Sequence, residues 1–576
     1  MTETKELTAT VTEISWERVL LRIRVDLVPL PGKHLPAAPE FYLVDEKGFA
    51  GAYFDIEEAS DHSFLLRVNI TNNGNRRVIP AGFYRINVCE GDRILAEFDA
   101  APEITPCFEE RSRVFLYGQK IHKSYGVSFF VLEDNSRLPF RMDIINAEEM
   151  PITWLRKDCI SISKTFQHTF CDLRVYVTWY YRILCRLFGR HRATTILFIN
   201  EQSERLGANL TAIRDRMQAR GLDRKYTRLS WSHKKLRGQN NLRRWFSLIH
   251  ILARSGIVFV DDHVPTMDWL VLRPDTTVIQ TWHAGAGFKS SGYSRFSNIG
   301  GPPPLSAHRQ YTYGLCGSRK IAHFFSEVWG IDTERVLNTG MPRMDEYQDP
   351  EYRQKTTQAL YERYPLCRDK QVILFAPTYR GKNVADAYYP YELIDWERLD
   401  AVTGDHAVVL FRMHPWVNKP ISIPERYAGK FIDVADYPGI NDLFYITDLL
   451  ITDYSSNIYE YSLMRRPMLF YAFDEIQYSF SRGFHRPYRE SAPGKVCTTF
   501  AELCDAIAAQ DYEAEKVEAY VTHHFDHFDS GACDRVIDWL IEGELPADIR
   551  TAIAAREART ARMLEVRFPV HIERPR

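Results

Sequence analysis

Residues 431–488 read helix, strand, sharp turn, helix, strand, an order that few folds accommodate. Asn441 is placed to cap a helix through Thr447, residues 448–452 form a short apolar strand, and Asp453-Tyr454-Ser455-Ser456 is a polar turn feeding a second helix. Strands joined by helical crossovers build an open parallel sheet, and such sheets bind ligands outside the C-terminal ends of their strands. Two adjacent hydroxyls at a helix start, backed by free N–H groups and the helix dipole, suit a phosphate. The competing reading is a serine that only caps its helix.

The same alternation begins upstream. ATTILFIN (193–200) is an apolar strand, 201–207 a turn ending in Gly207, and NLTAIRDRMQARG a helix; IVFV and TTVIQTW continue a first Rossmann-like half. From Leu7 to about Ile145 the pattern changes to short alternating runs separated by turns such as 72–75 and 90–92, which predicts a β-sandwich-like accessory module, an interaction or spacer element with nothing catalytic in it. After Ala501 the chain reads as helices. The last carries a basic side of Arg550, Arg556, Arg559 and Arg562, and the closing VRFPVHIERPR is expected to fray.

The 576 residues suggest about three domains, and 73 basic against 75 acidic residues provide no global attraction for nucleic acid. Ten cysteines lack CxxC or Cys/His metal spacing, so reduced thiols, a cytoplasmic setting and no zinc are expected. The polar N-terminus lacks a signal-peptide pattern, and no run approaches the roughly 18 apolar residues of a membrane span. One local patch stands out. Residues 173–200 contain no acid, and Arg174, Arg182, Arg186, Arg190 and Arg192 alternate with Trp179, Tyr180, Tyr181, Leu184 and Phe188. On a helix the arginines at 182, 186 and 190 form one stripe beside apolar groups, which predicts a helix lying on the cytoplasmic membrane surface through 174–192. The alternative is a helix packed on the protein with a solvated basic edge.

Three further segments place reactive side chains after strands. In QTWHAGAGFKSSGYSR, His283 follows a strand in a turn of small residues that includes Gly285, with Lys289 close behind; the histidine suits proton transfer and the lysine suits phosphate. Arg380 and Lys382 in APTYRGK are placed to reach a diphosphate, and Arg412 and His414 in FRMHP share one face of an extended chain. The pair Asp261-Asp262 is not read as a metal site.

ITDYSSNIYEYSLMRRPMLFYAFD followed by RGF resembles the signature of the CDP-glycerol glycerophosphotransferases, the teichoic-acid polymerases and primases of GT-B fold. TGMPRMD, APTYRG, RMHP and the histidine of TWHAG resemble further markers of that family, although Ala284 follows His283, with no proline, where the usual form is close to WHGTPLK. The resemblance implies an α/β GT-B protein: a β module at 1–145, a linker at 146–195, Rossmann-like halves at 196–345 and 346–545 around a cleft, and a helix and tail at 546–576. It implies transfer of glycerol or ribitol phosphate from a CDP-linked donor to a lipid-linked polyol-phosphate acceptor, with release of CMP. By the same resemblance His283 is the base toward the acceptor hydroxyl, and His414 with Arg412 stabilises the diphosphate or protonates the leaving group, the two histidines being exchangeable. Asp453 orients its turn, Ser455 and Ser456 hold donor phosphates, Glu460 contacts ribose or cytidine, Arg380 and Lys382 assist, and Gly285 and Lys289 lie on the acceptor side. Neither cofactor nor metal is expected. A nucleotide-sugar transferase and a non-catalytic polymer-binding protein are the alternatives.

Overall fold

The computed structural model describes residues 6–568 except 92, 118–122, 133–136, 147–172, 234–241, 286–287, 297–300, 303–305 and 382–383. Most of the expected linker, and Lys382, therefore lie outside the described residues.

Eleven strands between Leu7 and Asn146 form one connected network. β1 (Leu7–Glu17) and β2 (Leu20–Pro29) make an antiparallel hairpin. The eighth strand, Arg93–Ala100, pairs in parallel with β1 and antiparallel with Gly82–Glu90, so it joins two layers over one core. Period-two alternation sets the inward face: Phe64, Leu66 and Val68 are buried while the residues between them are not. That core takes in two residues from much later in the chain, Tyr293 and Phe296, and Phe296 stacks on Tyr117 at 5.4 Å.

Two six-stranded parallel sheets follow. The first comprises β12 (Thr195–Asn200), β13 (Thr227–Ser232), β14 (Ile257–Val260), β15 (Thr277–Gln280), β16 (Tyr313–Leu315) and β17 (Val336–Leu337), in the order 13-12-14-15-16-17. The second comprises β18 (Gln371–Phe375), β19 (Ala407–Phe411), β20 (Phe431–Asp433), β21 (Leu449–Thr452), β22 (Met468–Tyr471) and β23 (Lys495–Cys497), in the order 20-19-18-21-22-23. β12, β19, β21 and β22 are buried at every residue, which explains their unbroken apolar runs: both faces of a parallel sheet are covered. Strand order reverses between β12 and β14 and again between β18 and β21, and these are the crevices where such sheets take ligands.

Several local expectations need correction. Asn441 lies inside the helix Ile440–Leu443, whose N-cap is Gly439, and it caps nothing. Arg556 and Arg559, on the helix Ala547–Glu565, are engaged by Asp55 of the β module at 2.6 and 3.0 Å, so that helix is docked and its basic side is largely neutralised. Of the closing segment only 566–568 are described, 569–576 lying outside the described residues; Phe568 is buried and donates its N–H to Gly48 O at 2.9 Å. The helix Leu173–Phe188 buries Val177, Tyr181, Leu184 and Cys185 in the core shared with the helix Leu242–Arg254 and turns Tyr176, Trp179, Arg182, Arg186 and Leu187 outward. Arg192 does not join that outward stripe: it is 5% exposed and donates to Ala253 O and Thr276 Oγ1, both at 2.6 Å.

Candidate active site

The turn after β21 sits at the switch point of the second half and is organised by a buried carboxylate. Asp453 accepts from the backbone and hydroxyl of Thr378, the first residue past the β18 strand-end Ala-Pro, at 2.8 and 2.9 Å, and from Tyr454 N at 2.6 Å. Arg380 donates to Asp453 Oδ2 at 2.9 Å and grips Asp474 with Nε and Nη2 at 2.6 and 2.9 Å. Asp453 is thus a buried brace of the turn. Arg380, expected to reach a diphosphate, has most of its donors committed to the two aspartates and to Thr378. Ser455 Oγ accepts from Asn457 N at 3.3 Å. The helix that follows, Ile458–Ser462, is only five residues long, so anion attraction here depends on nearby side chains more than on a helix dipole. Glu460 is not free for a ribose: its Oε1 accepts from Arg343 of the first half, Nε lying at 3.2 Å, which ties the two halves together.

His414 stands beside this turn, its ring 4.7 Å from that of Tyr379. Its Nδ1 accepts from Trp416 N at 3.1 Å, which leaves the proton on Nε2. Burial pushes it down to about 4, with the charges of Lys289 and Arg412 adding to the effect, so it is a neutral N–H donor at pH 7. Arg412 is buried and donates to Ala435 O.

His283 is presented differently. The preceding Trp282 has φ 56°, a left-handed backbone that a bulky residue adopts only when its surroundings enforce it. Asn209 Nδ2 donates to Trp282 O at 2.5 Å, and Trp282 N donates to Gln280 Oε1 at 2.9 Å. This kink turns the His283 side chain outward, 60% exposed, with Nδ1 3.7 Å from Asp262 Oδ2. A carboxylate on the Nδ1 side leaves Nε2 to accept a substrate proton and stabilises the imidazolium that results. The sequence alone gives Asp262 no role. The signal that finds it is register: Val260 pairs with Gln280, so two residues further on Asp262 lies beside the Trp282-His283 turn.

The two residues expected on the acceptor side, Gly285 and Lys289, line the cavity beside His283. A Cβ at Gly285 would fall 2.3 Å from the Tyr459 ring, so the glycine also serves a close approach between the halves. Lys289 crosses to the other half: Ser290 N donates to Gly483 O at 3.1 Å and His485 N to Phe288 O at 2.7 Å, a short antiparallel pairing that carries the lysine to the Asp453 turn. Burial pushes Lys289 down to about 8, with Asp453 opposing and Arg482 and Arg380 reinforcing the shift. Arg482, another residue not singled out in the sequence, donates to Tyr379 Oη at 3.1 Å and Gly381 O at 3.2 Å. The RGF triplet marked it.

A cavity of 220 Å³ opens beside His283, and its lining includes Ser456, Phe324, His485, Arg486 and His524. The β module reaches its wall through the β1–β2 turn. Arg18 grips Glu327 with two bonds of 2.7 Å, and His485 Nε2 lies 3.2 Å from the same carboxylate. Burial opposes ionisation of Glu327, yet the His485 ring and the Arg18 fork hold it down to about 2. Burial also lowers His485, so near neutral pH Arg18 supplies the balancing charge.

The family described as CDP-glycerol:poly(glycerophosphate) glycerophosphotransferase matches residues 179–542. The teichoic acid ribitol-phosphate polymerase TarK of Staphylococcus aureus is 37% identical over 356 residues, covering 62% of this chain and 69% of TarK. The teichoic acid poly(ribitol-phosphate) polymerase of Bacillus spizizenii is 37% identical over 316 residues, 54% of this chain and 51% of that protein. A solved structure of the wall teichoic acid polymerase TagF superposes with a TM-score of 0.50 at 22% identity, over 68% of this chain and 98% of that one, in keeping with a GT-B-like arrangement of two Rossmann-like halves. With His283, Tyr454 and Ser456 lining one cavity and His414 near Lys289 and Asp453, all inside the matched residues, the chain belongs to the CDP-glycerol:poly(glycerophosphate) glycerophosphotransferase family.

Proposed function

We propose that the protein transfers ribitol phosphate from CDP-ribitol to the terminal hydroxyl of a lipid-linked polyol-phosphate polymer, releasing CMP. The observation that carries this reading is the meeting of two unlike loops at one cleft: an exposed histidine backed by a carboxylate on one side, and a neutral histidine among buried cations on the other. The two relatives described above, both at 37% identity, are ribitol-phosphate polymerases, which favours ribitol over glycerol.

The acceptor hydroxyl attacks the β-phosphorus in line. An O–P bond forms, the bond from phosphorus to the bridging oxygen breaks, and that oxygen leaves with CMP. His283 Nε2 takes the hydroxyl proton while Asp262 steadies the imidazolium. Lys289, Arg482 and the His414 Nε2–H meet the charge that grows on the departing oxygen, so positioning and electrostatics supply the catalysis, and turnover is expected to persist in EDTA. Ser455 and Ser456 line the turn that the donor phosphates approach.

The lipid end of the acceptor calls for a membrane surface. Among the described residues no helix is long and apolar enough to cross a membrane. The face formed by Tyr176, Trp179 (65% exposed), Leu187 (74%) and Phe246, with Arg182 and Arg186 beside them, suits contact with anionic lipid, each arginine contributing about 1 kcal/mol.

The test is CMP release from CDP-ribitol and CDP-glycerol with a lipid-linked acceptor. His283→Ala is expected to lower kcat by about 10²–10⁴-fold with little change in donor KM, whereas His414→Ala raises donor KM as well. A nucleotide-sugar turned over in place of both CDP-polyols sinks the reading.

A further inference from the structure

The helix Ile458–Ser462, which follows the Ser455-Ser456 turn, holds the His283 loop on both flanks. On one flank the Tyr459 ring fills the space where a Cβ at Gly285 would stand. On the other flank the hold passes through the first half. Glu460 is buried and accepts from Nε and Nη2 of Arg343. The backbone N–H of Arg343 donates to Asn209 Oδ1 at 3.0 Å, and Asn209 Nδ2 donates to Trp282 O at 2.5 Å. Trp282 is the residue whose left-handed backbone turns His283 outward. Asn209 is itself buried, and its helix, Ala208–Ala219, starts from Gly207, where a Cβ would fall 1.5 Å from Asp261 Oδ2, next to the carboxylate that backs His283.

An asparagine suits this place because its short side chain carries an acceptor and a donor together. One partner is an N–H and the other a carbonyl, so exchanging the amide oxygen and nitrogen would set like against like at both contacts, and the orientation is fixed. Arg343 is fixed in turn, because charge-assisted bonds to a buried carboxylate resist any shift of its main chain. We propose that Arg343 is a positioning residue that couples the helix after the donor turn to the presentation of His283, acting through Asn209 and Trp282. This inference rests on the transfer reading above. Its consequence is that the base is in line with an acceptor hydroxyl only while Glu460 and Arg343 clamp the two halves. A displacement of the donor turn reaches both flanks of His283, and a misplacement of about 1 Å at a reacting group costs on the order of 10²-fold in rate.

The experiment measures kcat and donor KM for CMP release by the full chain from CDP-ribitol, using a lipid-linked acceptor ending in a polyol phosphate. Arg343→Gln and Asn209→Leu are each expected to lower kcat about tenfold to a hundredfold and to leave donor KM within about twofold. Because the two residues act in series, the double variant Arg343→Gln/Asn209→Leu is expected to match the slower single variant within about twofold. An unchanged kcat in Arg343→Gln, a rise confined to donor KM, or losses that multiply in the double variant overturn the proposal. Should Arg343→Gln fail to fold with Glu460 left unpaired, Arg343→Gln/Glu460→Gln, which removes both buried charges, takes its place. Melting restored in that pair with kcat still low supports the coupling, whereas kcat restored along with melting marks a structural ion pair and overturns it. A wild-type protein that turns over no CDP-polyol removes the transfer reading and this coupling with it, whereas an active wild type with indifferent Arg343 and Asn209 variants removes the coupling only.

Discussion

The turn at 453–456 and the loop at 282–289 face the same cleft and are held in opposite ways. Among the described residues, the hydrogen-bond partners of the Asp453 and Arg380 side chains come from the second half: Thr378, Tyr454 and Asp474. The His283 loop is held by three bodies. Asn209 locks its entrance from the first half, Tyr459 and the 483–485 segment grip it from the second, and Phe296, shortly after it, is embedded in the core of the β module. The contrast assigns different histories to the two sides of the reaction. The donor turn is braced within one folded unit and takes Lys289 from the other, while the base side is held by both halves and the module, an arrangement expected where closure must precede chemistry.

The largest expected effect breaks the self-contained side. Arg380 and Asp453 have side chains 8% and 1% exposed, and Asp474 is 14% exposed. Arg380→Gln leaves two buried carboxylates without their shared cation and is expected to destabilise the protein by about 3–5 kcal/mol in denaturant unfolding, with loss of any donor-dependent rise in Tm. A variant with wild-type stability but weak donor binding would instead mean that Arg380 turns to the donor, and the comparison would fail at its first point.

The next effect tests the residue that crosses between the two sides. Lys289 is carried by the His283 loop but lies among donor-side groups, and burial with neighbouring arginines brings it down to about 8. Its cationic form, the one that meets phosphate, is present below that value and is lost above it. For the donor, kcat/KM is therefore expected to fall about tenfold per pH unit above roughly pH 8, since this ratio reports the free enzyme. Lys289→Arg keeps the charge at all accessible pH values and is expected to remove the alkaline limb. An alkaline limb unchanged in Lys289→Arg assigns it to another group.

What the sequence disclosed follows the same division. The strand and turn at 449–456 were legible because everything that defines them is local: a short apolar run and a polar turn leading into a helix. Both histidines were legible for a similar reason, as polar residues directly after apolar strands. The fate of Arg380 was not, because its partners lie 73 and 94 positions away and reach it only through the neighbouring strands of the sheet. That Lys289 also reaches the Asp453 turn was not legible, because its position is decided by backbone pairing with residues almost 200 positions later. The module was read as a spacer since its alternating strands carry no chemistry. That it encloses Phe296 and sends Arg18 to Glu327 is a fact of docking, for which neither periodicity nor composition leaves a trace.

The smallest effect asks whether the module matters to the reaction at all. Arg18 occupies the β1–β2 turn with φ 56°, and its two parallel bonds fix Glu327, which in turn holds His485 beside Phe288. Arg18→Lys keeps a positive charge near Glu327, so the carboxylate stays ionised and the stability cost is modest, about 1 kcal/mol for the lost bidentate geometry. What loosens is the orientation of Glu327, and through His485 the pairing that seats the His283 loop. A catalytic geometry relaxed by a fraction of an ångström is felt in kcat, so a fall of roughly fivefold at unchanged donor KM is expected. Arg24→Lys on the same module, where the arginine pairs with Glu13 and Glu58, serves as the control and is expected to leave kcat alone. Equal loss in both variants would mark general destabilisation, and a rise in donor KM in Arg18→Lys would show that the module braces the donor turn. Unchanged kcat in Arg18→Lys would mean that the first and second halves hold the His283 loop without help, leaving the module bound to the enzyme but outside its chemistry.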